Sequence, residues 1–188
     1  MLIKMEVKKL NCGCGNDYKE GWTNLDFNSK HKCDINHNLD FFPYPFEDNT
    51  FDEILCSEIL EHIDDIFLVL DEIYRISKPN AKITIRVPHW SHYFAWSDLT
   101  HKSVFTSRTF NFLNEGHLNY PYSNLKFKFH LEKKHLTVYV QKNKKRSLNL
   151  IGCIIDWIIN FNLAFTERFL CKFIPISHIF FYLRIIKP

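Results

Sequence analysis

Apolar and polar positions follow two different periods along this chain. Val7 to Cys12 is a short apolar-rich run that ends in Gly13-Cys14-Gly15, as a buried strand ends before a tight turn. Trp22 to Phe27 reads as a second short strand, with Leu25 and Asp26 followed by the turn formers Asn28, Ser29 and Lys30. Asp34 to Leu39 is a third, after which Pro43, Pro45 and Asp48-Asn49 mark a loop. Phe51 to Ser57 is another buried strand. From Ile59 to Ser77 the spacing of Ile59, Ile63, Ile66, Phe67, Leu70, Ile73 and Tyr74 is helical. Pro79 and Asn80 stop that helix, and Ile83, Ile85 and Val87 then alternate with polar residues up to Pro88. A strand, helix, strand unit predicts a parallel sheet with right-handed crossovers.

Beyond Pro88 the pattern loosens. His89 to Asn124 is a long polar and aromatic connection with a short helix expected over Ser107 to Asn114. Ligands of open α/β sheets bind beyond the carboxyl ends of the strands, which makes this connection the place to seek a substrate loop. Phe127 to Val140 reads as strand, Ile179 to Ile186 as a terminal strand, and Leu148 to Phe173 as an amphipathic helical insertion. In that insertion Leu148, Ile151, Ile155, Ile158, Ile159 and Asn162 share one face, while Asn149, Cys153, Asp156 and Asn160 share another. Docking on the sheet or on another subunit is the plainest use for it.

Composition narrows the class. A chain of 188 residues with 46% hydrophobic and 16% aromatic side chains can bury a sizeable core in one domain, which excludes disorder and low complexity. The net charge of +3 is too small to argue for nucleic acid. Charge is concentrated in one place: between Lys126 and Arg146 eight Lys or Arg accompany the single Glu132. Its end, Lys142 to Arg146, adjoins the apolar insertion, so residues 142–163 suit a peripheral contact with an anionic membrane. Asp156, Glu167 and Arg168 interrupt the insertion before it could span a bilayer. Six cysteines without a disulfide framework, and a start with no apolar targeting segment, suggest reduced thiols and a cytoplasmic location. No metal is assigned, because Cys12-x-Cys14 lacks a second ligand pair and the loop histidines are irregularly spaced.

The Gly13-Cys14-Gly15 turn lets backbone approach a ligand closely. It fails as a dinucleotide fingerprint, since Tyr18 stands where a third glycine is needed. Asp26, at the end of the second strand, can still accept both hydroxyl protons of a ribose. In the long loop, His89, Asp98 and His101 form a candidate acid–base group with Asp98 as orienter. His92, Trp90, Tyr93 and Trp96 are candidate substrate contacts through hydrogen bonding and stacking.

Taken in order, LNCGCG, GWTNLD, FPYPFEDNTFDEILCSEILEHI and EIYRISKPNAKITIRVPH resemble class I S-adenosylmethionine (SAM)-dependent methyltransferases of the type 11 domain kind. The resemblance covers about Leu10 to His89. It implies an α/β, Rossmann-like, doubly wound and mostly parallel sheet with an antiparallel C-terminal strand in a three-layer αβα arrangement. The expected division is one methyltransferase domain over 1–188, with 1–88 as the SAM-binding core, 89–124 as the substrate loop, and 125–188 as the C-terminal strands with an insertion at 147–173. By resemblance, Gly13, Cys14 and Gly15 sit against the methionine part of SAM, Asp26 holds the ribose, and Asn38 and Leu39 lie near the adenine. Ser57, Glu58 and His62 would line the same pocket, with Asn11 at the position before the glycine turn and Trp22 near the adenosine. The family's acidic residue is replaced by Asn11, its third glycine by Asp17, its Gly-Gly turn by Asn80-Ala81, and Asn16 to Thr23 is too short for a full first helix.

The function implied is methyl transfer from SAM, with a hydroxyl oxygen of a small-molecule or saccharide-like acceptor as the target suggested by the His, Asp and aromatic loop. Three other classes remain open on the residues alone: a catalytically silent nucleotide-binding or scaffold protein, a metal-dependent hydrolase, and a peripheral membrane module.

Overall fold

A computed structural model describes residues 7–111, 113, 127–138 and 146–188, the last stretch with side chains from Gly152 onward. The apolar runs pair into one seven-stranded sheet. Strands β1 (Lys9–Cys12), β2 (Thr23–Asp26), β3 (Ile35–Asn36), β4 (Phe51–Ser57) and β5 (Ser77–Pro88) are parallel. Strand β7 (His178–Ile185) runs antiparallel between β5 and β6 (Phe129–Thr137). The order is β3-β2-β1-β4-β5-β7-β6. The chain moves outward from β1 to β3 and then returns to place β4 on the other side of β1, so the order reverses between β1 and β4. A reversal of that kind leaves a crevice beyond the carboxyl ends of the two strands. Leu10, Leu25, Ile54, Ile83, Ile85 and Phe181, all at most 1% exposed, give the sheet its core.

The crossover from β1 to β2 has no helix, in keeping with its shortness. A polar hub does the fastening instead. Asn24 is fully buried, and its Nδ2 donates to the carbonyls of Lys19 and Trp22 and to Asp34, while its Oδ1 accepts from Lys19 N and Asn11 Nδ2. Every polar atom of that amide is used, which is what makes its burial tolerable.

Helix α1 (Ile66–Ile76) starts later than the periodicity predicts. The carboxylate of Asp65 accepts the N–H groups of Phe67 and Leu68 and so fixes the N-terminus there. Leu60–His62, expected to be helical, form a 3₁₀ turn followed by extended Ile63. At the other end Ser77 Oγ donates to Ile73 O, and the chain enters β5 at once rather than at Lys82. Asn80 in the left-handed region (φ 62°), a register shift opposite Phe51 to Glu53, and the Lys78–Asp52 ion pair accommodate the early start.

The loop after β5 holds a helical turn, α2 (Phe94–Ser97). Residues 107–111 form turns; most of the remainder of the helix expected over 107–114 lies outside the described residues, as do the later part of the loop, residues 139–140 of the expected strand and the basic residues 142–145. The insertion is present as α3 (Arg146–Phe161), α4 (Leu163–Arg168) and a 3₁₀ turn at Leu170–Lys172. Its docked face is more polar than expected. Asn160 exchanges two 2.8 Å hydrogen bonds with the backbone of Leu136 on β6, and Asp156 pairs with His135 at 3.2 Å, beside fully buried Ile159. Ile158, expected to share the buried face, is exposed with Ile154, Trp157 and Phe161. No helix among the described residues is long and apolar enough to cross a membrane.

Candidate active site

A cleft of about 690 Å³ opens beyond the ends of β1, β2 and β4, at the reversal of strand order. Seven residues expected around a cofactor line it: Gly13, Gly15, Asp26, Asn38, Leu39, Glu58 and His62. Asp26 is 6% exposed, with Oδ2 accepting from Gly15 N at 2.7 Å and Oδ1 from Asn28 N at 2.8 Å. Each oxygen keeps a further lone pair, so the carboxylate is fixed in place and can still accept two ligand hydroxyls. Asn38 Oδ1 accepts from Asp40 N, which sets the amide orientation and leaves Nδ2 as the donor for a ligand. Glu58, in the left-handed region (φ 54°), lies 3.4 Å from the Arg86 guanidinium, which also donates to His178 Nε2.

Gly13 has φ +65°, and a Cβ there would stand 2.5 Å from Ile59 Cγ1 and 2.9 Å from Ile59 Cβ. The bare backbone is therefore what allows the turn to close on β4. Asn11, Cys14 and Ser57, also expected at the cofactor, do not line the cleft. Asn11 is 2% exposed and donates to Asp17 O and Asn24, so the side chain that replaces the family's carboxylate serves the crossover. Cys14 Sγ lies 3.5 Å from Lys32 O, and burial pushes its pKa up to about 11, which keeps it a thiol. Trp22 packs beneath Lys9 at the amino end of the strands, away from the cleft.

The loop after β5 reaches the cleft through Asp98, Thr100 and Lys102. Thr100 Oγ1 donates its one hydrogen to Asp98 Oδ1 at 2.6 Å, so the 2.9 Å contact with His62 Nδ1 is a hydrogen bond donated by the imidazole. His62 Nε2 then carries the lone pair. The hydrogen bonds from Thr100 hold the Asp98 carboxyl below the usual range. Glu61, next to His62, is 1% exposed, and neither carboxylate oxygen has a hydrogen-bond partner. Burial pushes its pKa up to about 8. Thr100 and Lys102 carry no motif of their own and emerge only from the fold.

Other expected loop contacts fall elsewhere. His89 is fully buried and outside the cleft: Ser91 N donates to its Nδ1, so Nε2–H is donated to Glu167 Oε1 on α4 at 3.1 Å. Both ring nitrogens are thus engaged away from the cleft where the sequence reading expects a base. His101 sits against His62 with only 10% of its side chain exposed, and Asp98 is 4.0 Å away, bonded to Thr100 instead of orienting it. His92 is buried beside Tyr93 and Phe94, and Trp96 Nε1 donates to Trp90 O. Neither these nor Tyr93 lines the cleft, so no aromatic platform from this group faces a ligand there.

Glu167 also accepts from Ser107 N, so it clasps the loop to α4. Burial raises its pKa, but the hydrogen bonds from His89 and Ser107 outweigh that and leave it below the ordinary glutamate value of 4.5. A carboxyl depressed on folding stabilises above its unfolded pKa and loses that contribution as pH falls through the folded value. Glu167→Gln should therefore melt below the parent by about 1–3 kcal/mol equivalent at pH 7, with the gap closing under pH 4 and cofactor affinity unchanged. Thermal melts across that range check it.

The parallel sheet with one reversed strand, and a cleft walled by Gly13, Asp26 and Glu58 beyond the strand ends, form a Rossmann-like α/β architecture, the fold shared with solved SAM-dependent methyltransferases. Residues 19–85 match the methyltransferase domain family model. An uncharacterized protein of Methanocaldococcus jannaschii is 36% identical over 104 residues, covering 46% of this chain and 45% of that one. The chain thus spans about half the length of the curated relative it matches. A SAM-dependent methyltransferase from Archaeoglobus fulgidus superposes with a TM-score of 0.56 at 16% identity, over 96% of this chain and 87% of that one. A SAM-dependent methyltransferase from Methanosarcina mazei gives 0.56 at 12% identity, over 97% and 94%.

SAM is the cofactor this family implies, and the residues present fit it. The Gly13 cradle excludes a side chain, Asp26 has free lone pairs at the cleft wall, and Asn38 offers an oriented amide beside apolar Leu39.

Proposed function

We propose that this chain transfers a methyl group from SAM to a hydroxyl oxygen of a small, saccharide-like acceptor. One arrangement supports this above all: an immobilised Asp26 carboxylate and a wall of His62, Asp98, Thr100 and Lys102 share the same cleft. When bound, SAM supplies a methyl already activated on a sulfonium. Asp26 would hold the ribose hydroxyls, Asn38 and Leu39 the adenine, and the Gly13 to Gly15 turn the methionine end. The polar wall offers hydrogen-bond partners to an acceptor rich in hydroxyls, and His62 Nε2 can receive the hydroxyl proton, its Nδ1–H being held by Thr100. Holding both reactants in line is the larger contribution, up to about 7–11 kcal/mol in favourable cases.

The test is transfer of labelled methyl from SAM to a panel of sugars, phenols and amines. Label on sugar hydroxyls supports the proposal, label confined to amines corrects the acceptor, and absence of both SAM binding and transfer favours a silent scaffold.

A second role is supported by the insertion. Trp157, Phe161, Phe165, Phe169 and Phe173 are each at least 47% exposed, and the sequence places Lys142, Lys144 and Lys145 immediately before α3. We propose that this face lies on an anionic membrane surface. Sedimentation with phosphatidylglycerol vesicles should carry the parent chain down in a salt-sensitive manner and leave Trp157→Ser/Phe161→Ser in solution. Equal behaviour of the two would contradict it.

A further inference from the structure

His62 and His101 stand ring against ring at the edge of the cleft, with centroids 4.7 Å apart and planes at 69°. The buried carboxylate of Glu61 lies beside them. One ligand-capable atom from each of the three is within 4.8 Å of the other two.

The surrounding hydrogen bonds all lead away from this spot. His62 donates Nδ1–H to Thr100, which is itself fixed by Asp98. His101 directs its Nδ1 to the carbonyl of Ala95 at 3.3 Å, an acceptor, so the proton is on that nitrogen. Both imidazoles therefore keep Nε2 lone pairs. Glu61 adds two buried oxygens without a hydrogen-bond partner, and the Asp98 Oδ2 contact with His101 Nε2 is too long, at 4.0 Å, for a hydrogen bond. Burying a carboxylate this way is costly unless a positive charge joins it. Imidazoles oriented through Nδ1–H to oxygen, with Nε2 free, are arranged as metal-ligating histidines are.

We propose that Glu61, His62 and His101 bind one divalent first-row metal ion, with open coordination positions facing the cleft. Two imidazoles and a carboxylate are a donor set suited to zinc or manganese. Neither Cys12-x-Cys14 nor the loop histidines by themselves present this donor set in the sequence. Glu61-His62 follow β4, and only the fold brings His101 to them. The use of the ion rests on the methyl-transfer proposal: it would polarise the acceptor hydroxyl in place of unaided His62. The O–CH₃ bond forms as the S–CH₃ bond breaks, with the bonding pair left on sulfur and the hydroxyl proton passed to water.

The full chain, stripped with chelator, is titrated with ZnCl₂ and MnCl₂ by calorimetry, and bound metal is quantified by elemental mass spectrometry. One ion per chain is expected. Glu61→Gln and His101→Ala should each weaken binding beyond the ~10–100-fold typical of outer-shell changes, while parent-like melting and unchanged affinity for S-adenosylhomocysteine show that both remain folded. No binding of either metal, or equal binding by folded variants, overturns the proposal. A chain that takes up S-adenosylhomocysteine but no metal refutes the ion and leaves methyl transfer standing. Metal uptake without S-adenosylhomocysteine binding supports the ion site and removes the methyl-transfer reading.

Discussion

Asp26→Ala should weaken SAM and S-adenosylhomocysteine binding by about 100-fold or more. Two charge-assisted hydrogen bonds to ribose hydroxyls contribute on the order of 3 kcal/mol together, and each 1.4 kcal/mol is tenfold in affinity. The loss goes beyond the ligand contacts, because Gly15 N and Asn28 N both depend on the same carboxylate. Without it, the turn after β1 and the end of β2 lose their common tether, and the cleft wall loosens. Asp26→Asn retains one carbonyl acceptor and should fall between the two. Ala and Asn variants that both bind as the parent does would place the ribose elsewhere. Calorimetry on the three proteins separates these outcomes.

Gly13→Ala should damage both stability and cofactor binding. The left-handed φ of +65° adds about 1–2 kcal/mol for a side chain, and the new Cβ overlaps Ile59 as in an overpacked core, at about 1–3 kcal/mol. Ile59 cannot escape by changing rotamer, since its own Cβ is one of the atoms met, at 2.9 Å. Backbone must shift at the mouth of the cleft, which Ile59 lines. Gly15→Ala is the matched control: its φ is +48°, but nothing lies within 4 Å of the added Cβ. It should show the backbone penalty only, so its melting temperature should lie well above that of Gly13→Ala. Gly13→Ala/Ile59→Ala should recover the overlap part of the loss and keep the backbone part.

What the sequence reveals follows the range of the interactions involved. Gly13, Gly15 and Asp26 are legible because strand, turn and carboxylate are local patterns, and β1, β2 and β4 need only their own apolar runs. The start of α1 is harder. Periodicity continues through Ile59 and Ile63, and it is the Asp65 cap and the left-handed Glu58 that shorten the helix. His89 reads as a base because Glu167, its partner from α4, lies far along the chain. Asn11 reads as a weakened cofactor residue for a similar reason: its hydrogen bonds to Asn24 and Asp17 show it fastening a crossover that has no helix. The insertion shows the same limit, since helical spacing identifies α3 but cannot tell that Asn160 and Asp156, rather than the isoleucines alone, would face β6.

Titration of the purified chain with S-adenosylhomocysteine, followed by calorimetry, tests most directly whether the crevice between β1 and β4 is an adenosine site. Saturable one-to-one binding in the micromolar range, abolished by Asp26→Ala in a protein that still melts cooperatively, is the expected result. No heat of binding at millimolar ligand, or binding indifferent to Asp26, would contradict the account.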